Sequence, residues 1–154
     1  IVRTVSNMFM GKLGDKYGFV TLKGIGAFAC AVALFINIFT VPANGKVFYM
    51  MYIVIYALAN AASGIATTNL IYEYAPLELR TGALAINGTL YGFASFFATL
   101  VATPIVEYVQ NNGNTFLGMN IYAQQVVSAI GCILMLLTLL YILTVGKSAK
   151  NRHA

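Results

Sequence analysis

Charge is what this sequence has least of. Asp, Glu, Lys and Arg make up 8% of its 154 residues, where a soluble domain carries about a quarter. That deficit excludes an ordinary water-soluble globule. Acidic groups are scarcer still: Asp15, Glu73, Glu78 and Glu107 are the four, and none lies in the middle of an apolar run. A membrane-embedded enzyme would need carboxylates, histidines or a serine–base pair converging within those runs. None does, so the chain is read as no enzyme, with no cofactor and no metal. The single histidine, His153, falls in a polar tail. Two cysteines, Cys30 and Cys132, sit far apart inside apolar runs and read as small buried hydrophobes rather than a disulfide pair or metal ligands. No secretory signal is visible. The sequence begins with Ile rather than Met, which leads us to expect an amino-terminally truncated fragment.

What the chain has is length of apolar run. It is 60% hydrophobic, with a mean hydropathy of +0.80. Crossing a hydrocarbon core of about 30 Å takes roughly 20 helical residues. Four runs reach that length, at 19–40, 47–72, 82–106 and 121–145, and residues 1–10 read as the tail of a fifth span. Between them lie a glycine-punctuated segment at 11–18, a turn at 41–46 containing Pro42, Asn44 and Gly45, a loop at 73–81 and a polar connection at 107–120. Residues 146–154 form a basic tail, expected to be the true carboxyl terminus. Backbone groups in lipid must be satisfied within helices or closed barrels, and runs this continuous are not barrel strands. The predicted class is all-α, a polytopic transmembrane helix bundle.

The few charges are sorted by side. When the segments are numbered alternately, one side receives Lys12, Lys16, Lys23, Arg80, Lys147, Lys150 and Arg152, and the other only Lys46. Positive charge marks the cytoplasmic side, so residues 11–18, 73–81 and the tail are expected in the cytoplasm. The net charge of +5 is therefore a topology signal, and no nucleic-acid partner is expected. Arg3 is the one charge well inside an apolar segment. It either contacts an anionic substrate or snorkels to the interface.

Two charged segments carry more specific information. The first reads Gly11-Lys12-Leu13-Gly14-Asp15-Lys16-Tyr17-Gly18, with Lys23 following. Its glycines predict a tight reversal with close backbone approach. The second reads Glu73-Tyr74-Ala75-Pro76-Leu77-Glu78-Leu79-Arg80-Thr81-Gly82, where Pro76 ends one helix before the next begins. The first resembles the signature loop between the second and third helices of each six-helix half of the major facilitator superfamily. The second resembles the loop between helices four and five, or ten and eleven, of sugar-porter-like facilitators. The two loops stand one helix pair apart, as they do in that family.

The resemblance implies a partial six-helix half of a major-facilitator-type fold. It further implies a conformational-gating network of Gly11, Asp15, Lys16, Gly18, Glu73 and Arg80, whose charges link helix ends and part when two bundles rock. Residue 19 is Phe where the family usually has Arg or Lys. The run 47–72 lacks the embedded arginine of many first halves, and the run 82–106 lacks the Gly-Pro-rich motif of many exchangers. These departures are typical of the second half, so the chain resembles the end of helix eight through helix twelve.

The run 47–72 carries Tyr52, Tyr56, Asn60, Ser63 and Thr67 at spacings of three and four, which puts them on one helical face. Intramembrane polar groups face a bundle interior or a water-filled cavity. Helix ten lines the pathway in the family, so this face is the candidate substrate contact; the alternative is that it knits neighbouring helices. Gly88, Gly92, Ser95, Thr99 and Ala102 form a small-residue stripe, expected to pack closely against another helix. Asn87-Gly88-Thr89 matches a glycosylation sequon but falls at a cytoplasm-side helix end and is discounted. Gln124, Gln125 and Ser128 are either packing or pore-rim groups.

The function these features imply is secondary transport of a small solute by alternating access. The expected partners are that solute, a coupling proton or ion, the lipid bilayer and amino-terminal helices of the same protein. The expected location is the cell membrane, multi-pass, with the carboxyl terminus in the cytoplasm. The alternative is a helical membrane subunit or scaffold that transports nothing.

Overall fold

A computed structural model describes residues 2–116 and 119–150. Among these residues five α-helices follow one another: α1 (Val2–Tyr17), α2 (Phe19–Ile38), α3 (Gly45–Tyr74), α4 (Arg80–Asn111) and α5 (Ala123–Lys150). A single 3-10 turn, Leu77–Leu79, leads into α4, and a two-residue antiparallel ladder, β1 (Thr115–Phe116) with β2 (Met119–Asn120), joins α4 to α5. Four segments are long and apolar enough to cross a membrane: Phe19–Ile38, Gly45–Tyr74, Leu77–Asn111 and Ala123–Val145. The chain is all-helical in class, and a multi-pass membrane arrangement fits it.

α2 is the helix on which the others assemble, with α3 and α5 both packed along it and α1 lying against α3. Small side chains allow this. Ala27, Ala31, Ala33, Ala59, Ala61, Ala62 and Ala66 are all buried, and in lipid it is such residues that let helix backbones approach. Gly26 marks the tightest crossing. A Cβ there would lie 2.5 Å from Ser63 Oγ and 3.1 Å from Ala59 O and Ser63 N. Leu22 seals the α1 side against Ala62 and Ala66, with Met10, Phe19 and Ile65 around it.

The polar ties between α2 and α5 run antiparallel. Asn37 Nδ2 donates to Ser128 Oγ at 2.8 Å, Gln125 Nε2 to the Ile38 carbonyl at 2.7 Å, and Cys132 Sγ to the Ala31 carbonyl at 3.5 Å. Gln125 Oε1 also accepts from Tyr122 N at 2.9 Å, so one side chain satisfies the start of α5 and the end of α2. Of the two readings open for these residues, Gln125 and Ser128 take the packing one, while Gln124 is exposed.

Two expectations about helix ends need correction. The segment 11–18 is not a loop: α1 continues through Gly11, Asp15 and Lys16 to Tyr17. The reversal is confined to Gly18, at φ 87° and ψ 145°, a region open in practice to glycine alone. Gly18 N closes α1 onto Gly14 O at 2.8 Å, and Gly18 O receives Leu22 N at 3.0 Å to open α2. Gly14 serves a different purpose, because a Cβ there would overlap the Phe19 ring folded back on α1. Likewise the connection expected at 107–120 is helical as far as Asn111. Gly113 and Asn114, at φ 66° and 60°, then make the turn.

α4 stands apart. It meets α5 chiefly where Val109 packs on Ala123 and Val126, and Val109 is its only buried residue. Gly88 and Gly92 have nothing within 4 Å of a would-be Cβ, so the expected close packing on this stripe is not made by any described helix. Its hydroxyls turn inward on their own helix: Thr89, Ser95, Thr99 and Thr103 donate to the carbonyls of Ala85, Tyr91, Ser95 and Thr99 at 2.9 Å each. Four residues back is the natural reach of a helical Ser or Thr, and it satisfies each hydroxyl within α4.

Candidate functional site

The site starts from the midpoint of α3. By the helical repeat, Tyr52, Tyr56, Asn60, Ser63 and Thr67 fall within one narrow sector of that helix. The structure divides them. The three rings of Tyr49, Tyr52 and Tyr56 form a ladder, with centroids 5.8 and 5.3 Å apart. Tyr56 remains 38% exposed. Asn60 is half-buried and donates Nδ2 to the Tyr56 carbonyl of its own helix at 2.8 Å. That bond orients the amide and leaves its oxygen as an acceptor for something else. Upper and lower halves of the strip thus differ in availability.

Ser63 and Thr67 are engaged across the helix pair. Lys23 of α2 places Nζ 2.6 Å from Thr67 Oγ1 and 3.4 Å from the Ser63 carbonyl, and the Thr67 hydroxyl itself donates to Ser63 O at 2.8 Å. The cation therefore rests on neutral oxygens. Beyond Thr67 the same sector of α3 opens into a cleft of about 540 Å³ lined by Lys23, Thr67, Leu70, Ile71, Tyr74, Ala75, Ala83 and Asn87. Its walls are α2, the end of α3 and the first turns of α4. Arg80 sits by the rim, with Nε donating to the Ala75 carbonyl at 3.2 Å and the guanidinium over the Tyr72 ring at 5.6 Å.

Asp15, Lys16, Glu73 and Arg80 all belong to the same end of the bundle, since α1 packs parallel to α3 and α4 begins where α3 stops. The structure does not join them: among the described residues no ion pair links these four side chains. Lys16 Nζ lies over the Tyr17 ring at 5.1 Å, Arg80 makes the local contacts given above, and Asp15 and Glu73 are exposed. Gly11 is one turn and a half inside α1, and Gly18 holds the reversal. The side chain of Arg3, and Arg152 and His153 of the tail, lie outside the described residues.

Sequence reasoning missed Lys23 as a site residue, treating it as one of the charges flanking the signature segment. It also passed over Asn87, seen only as a sequon, and Asn37. A lone cation five residues into an apolar helix was the signal that was there to find. Compared with known proteins, the chain matches no family model, no curated protein and no solved structure, so its function must be argued from this geometry.

Proposed function

We propose that this chain is part of a secondary transporter of the major-facilitator type that moves a small solute by alternating access. In this reading it supplies the end of helix eight to helix twelve of the second six-helix half, in the plasma membrane, with its carboxyl terminus in the cytoplasm. The observation that carries the reading is the strip on α3. An amide near the middle of a helix of 30 residues, about 45 Å long, and a tyrosine ladder before it share one face with Thr67, which lines a cleft together with Lys23. Few polar groups on an otherwise apolar wall are what a solute pathway needs.

In this scheme Asn60 and Tyr56 contact the solute, while Ser63 and Thr67 support Lys23. Asp15, Lys16, Glu73 and Arg80 act at the cytoplasmic end, where pairing would form and break as two bundles rock. A coupling proton or ion is an expected partner.

Uptake by cells expressing the complete protein tests this, screened over a panel of small labelled solutes and repeated with Asn60→Ala and Tyr56→Phe. Losing one hydrogen bond of about 1 kcal/mol should raise the half-saturating concentration roughly fivefold, with thermal stability little changed. Unchanged affinity combined with reduced stability would make this face a packing surface and remove it from the pathway.

A further inference from the structure

The cleft at the end of α3 has a property that solute transport does not require. Its lining includes one cation, Lys23, together with the Thr67 hydroxyl, the Tyr74 phenol and the Asn87 amide, and among the described residues no carboxylate lines it. The Arg80 guanidinium is hydrogen-bonded to Ala75, itself a wall residue. Lys23 Nζ carries three N–H donors, and both of its partners, Thr67 Oγ1 and Ser63 O, are uncharged. Lysines within membrane spans are costly unless paired, and they mark binding sites. Half-buried and resting on two neutral oxygens, this one keeps a third N–H donor that neither of them takes. Asn87, on the opposing wall, adds an amide that can donate from α4.

We propose that this cleft binds an oxyanion, a phosphate or carboxylate group held by Lys23 Nζ from α2 and by Asn87 from α4. Lys23 is the fifth residue of α2, so at 1.5 Å per residue it lies only about 6 Å inside the helix start. That is the level at which headgroups meet hydrocarbon, so the oxyanion arrives either as the phosphate of an anionic lipid or as a soluble ion entering from the same side. Charge-assisted hydrogen bonds of this kind are roughly twice as strong as neutral ones. The bound anion bridges α2 to α4, which otherwise touches the bundle mainly at its far end. The proposal concerns binding alone and stands whether or not the protein transports.

The test uses the complete protein in phosphatidylcholine nanodiscs, with thermal unfolding followed at matched ionic strength. In one arm inorganic phosphate replaces chloride; in the other, phosphatidylglycerol replaces part of the phosphatidylcholine. We expect the wild type to be stabilised in at least one arm. Lys23→Met removes the cation but keeps the stem, and Ala83→Leu fills the cleft from α4 without altering the Lys23–Thr67 contact. Each should weaken the half-maximal effect at least tenfold. Stabilisation by phosphate identifies a soluble oxyanion, and stabilisation by phosphatidylglycerol alone identifies a headgroup; both support the site. No stabilisation in either arm, or stabilisation undiminished by Ala83→Leu, overturns it, and the second criterion holds even if Lys23→Met fails to fold.

Discussion

Replacing Gly26 by Ala should destabilise the protein, although alanine is the better helix former. In an exposed helix interior that exchange gains about 1 kcal/mol. Here the new methyl has no room: it would stand 2.5 Å from Ser63 Oγ and 3.1 Å from Ala59 O and Ser63 N. The first contact can be relieved by turning a serine side chain. The other two are backbone atoms of α3, so α2 and α3 must separate by several tenths of an ångström along a contact that also holds Leu22, Ala62 and Ala66. Overpacking of this kind costs about 1–3 kcal/mol. Set against the propensity gain of about 1 kcal/mol, the net loss is about 0–2 kcal/mol.

A double-mutant cycle separates the two sources of strain. Ser63→Ala removes the oxygen and leaves the carbonyl and amide contacts, so combined with Gly26→Ala it should recover about half of the loss. The assay is reversible unfolding in mixed micelles, with Ser63→Ala alone as reference. Gly26→Ala stabilising the protein by the full propensity gain of about 1 kcal/mol would refute the crossing geometry. A cycle with no coupling would refute the part assigned to Ser63.

Three further outcomes follow from the fold and its orientation. Ser128→Ala should cost about 1 kcal/mol by stranding the buried Asn37 amide, whereas Asn37→Val with Ser128→Ala should cost less than the two single losses together, because removing both partners removes the unmet hydrogen bond; unfolding free energies of the set decide it. Gly18→Ala should lower stability by about 1–3 kcal/mol through backbone strain alone, since open space surrounds the position and φ is +87°; an unchanged melting midpoint would contradict that backbone. Cysteines at positions 46 and 112 should react with an impermeant reagent added outside intact cells while those at 16 and 80 should not, and strong labelling at 16 or 80 would invert the proposed orientation.

What could be read in the sequence was whatever one helix decides alone. The run 19–40 became Phe19–Ile38, and 47–72 became Gly45–Tyr74, because an uninterrupted apolar segment in lipid has no alternative to satisfying its own backbone. The polar sector of α3 was legible for the same reason, since spacing by three and four is a property of one helix. The ends were harder. Gly11 and Gly14 look like turn residues in a string of letters, yet both sit inside α1, Gly14 where the Phe19 ring leaves no room for a Cβ, and only Gly18 needed the freedom it has.

Contacts between helices were not legible, because they depend on register. Lys23 finds Thr67 44 positions away and Asn37 finds Ser128 91 positions away, and neither pairing is implied by composition or period. Gly26 and Gly88 make the point most sharply. Each sits among small residues in an apolar run, and the pattern around Gly88 is the more suggestive of close packing. The structure assigns them opposite circumstances, the tightest crossing for Gly26 and open space for Gly88. What distinguishes them is whether a second helix passes at that height. α3 passes Gly26 because the turn at Asn44 returns the chain against α2: Val41 N donates to Asn44 Oδ1 at 2.8 Å, and Asn44 Nδ2 to the Phe39 carbonyl at 3.1 Å. Past Pro76 the chain re-enters as α4 through a 3-10 turn in which Leu79 N donates to Pro76 O at 2.9 Å. The tie across this turn reaches only the last turn of α3, where Arg80 Nε donates to the Ala75 carbonyl and the guanidinium lies over Tyr72, and α4 packs far less on α3 than α3 does on α2. The cleft that Lys23 faces is the space this difference leaves.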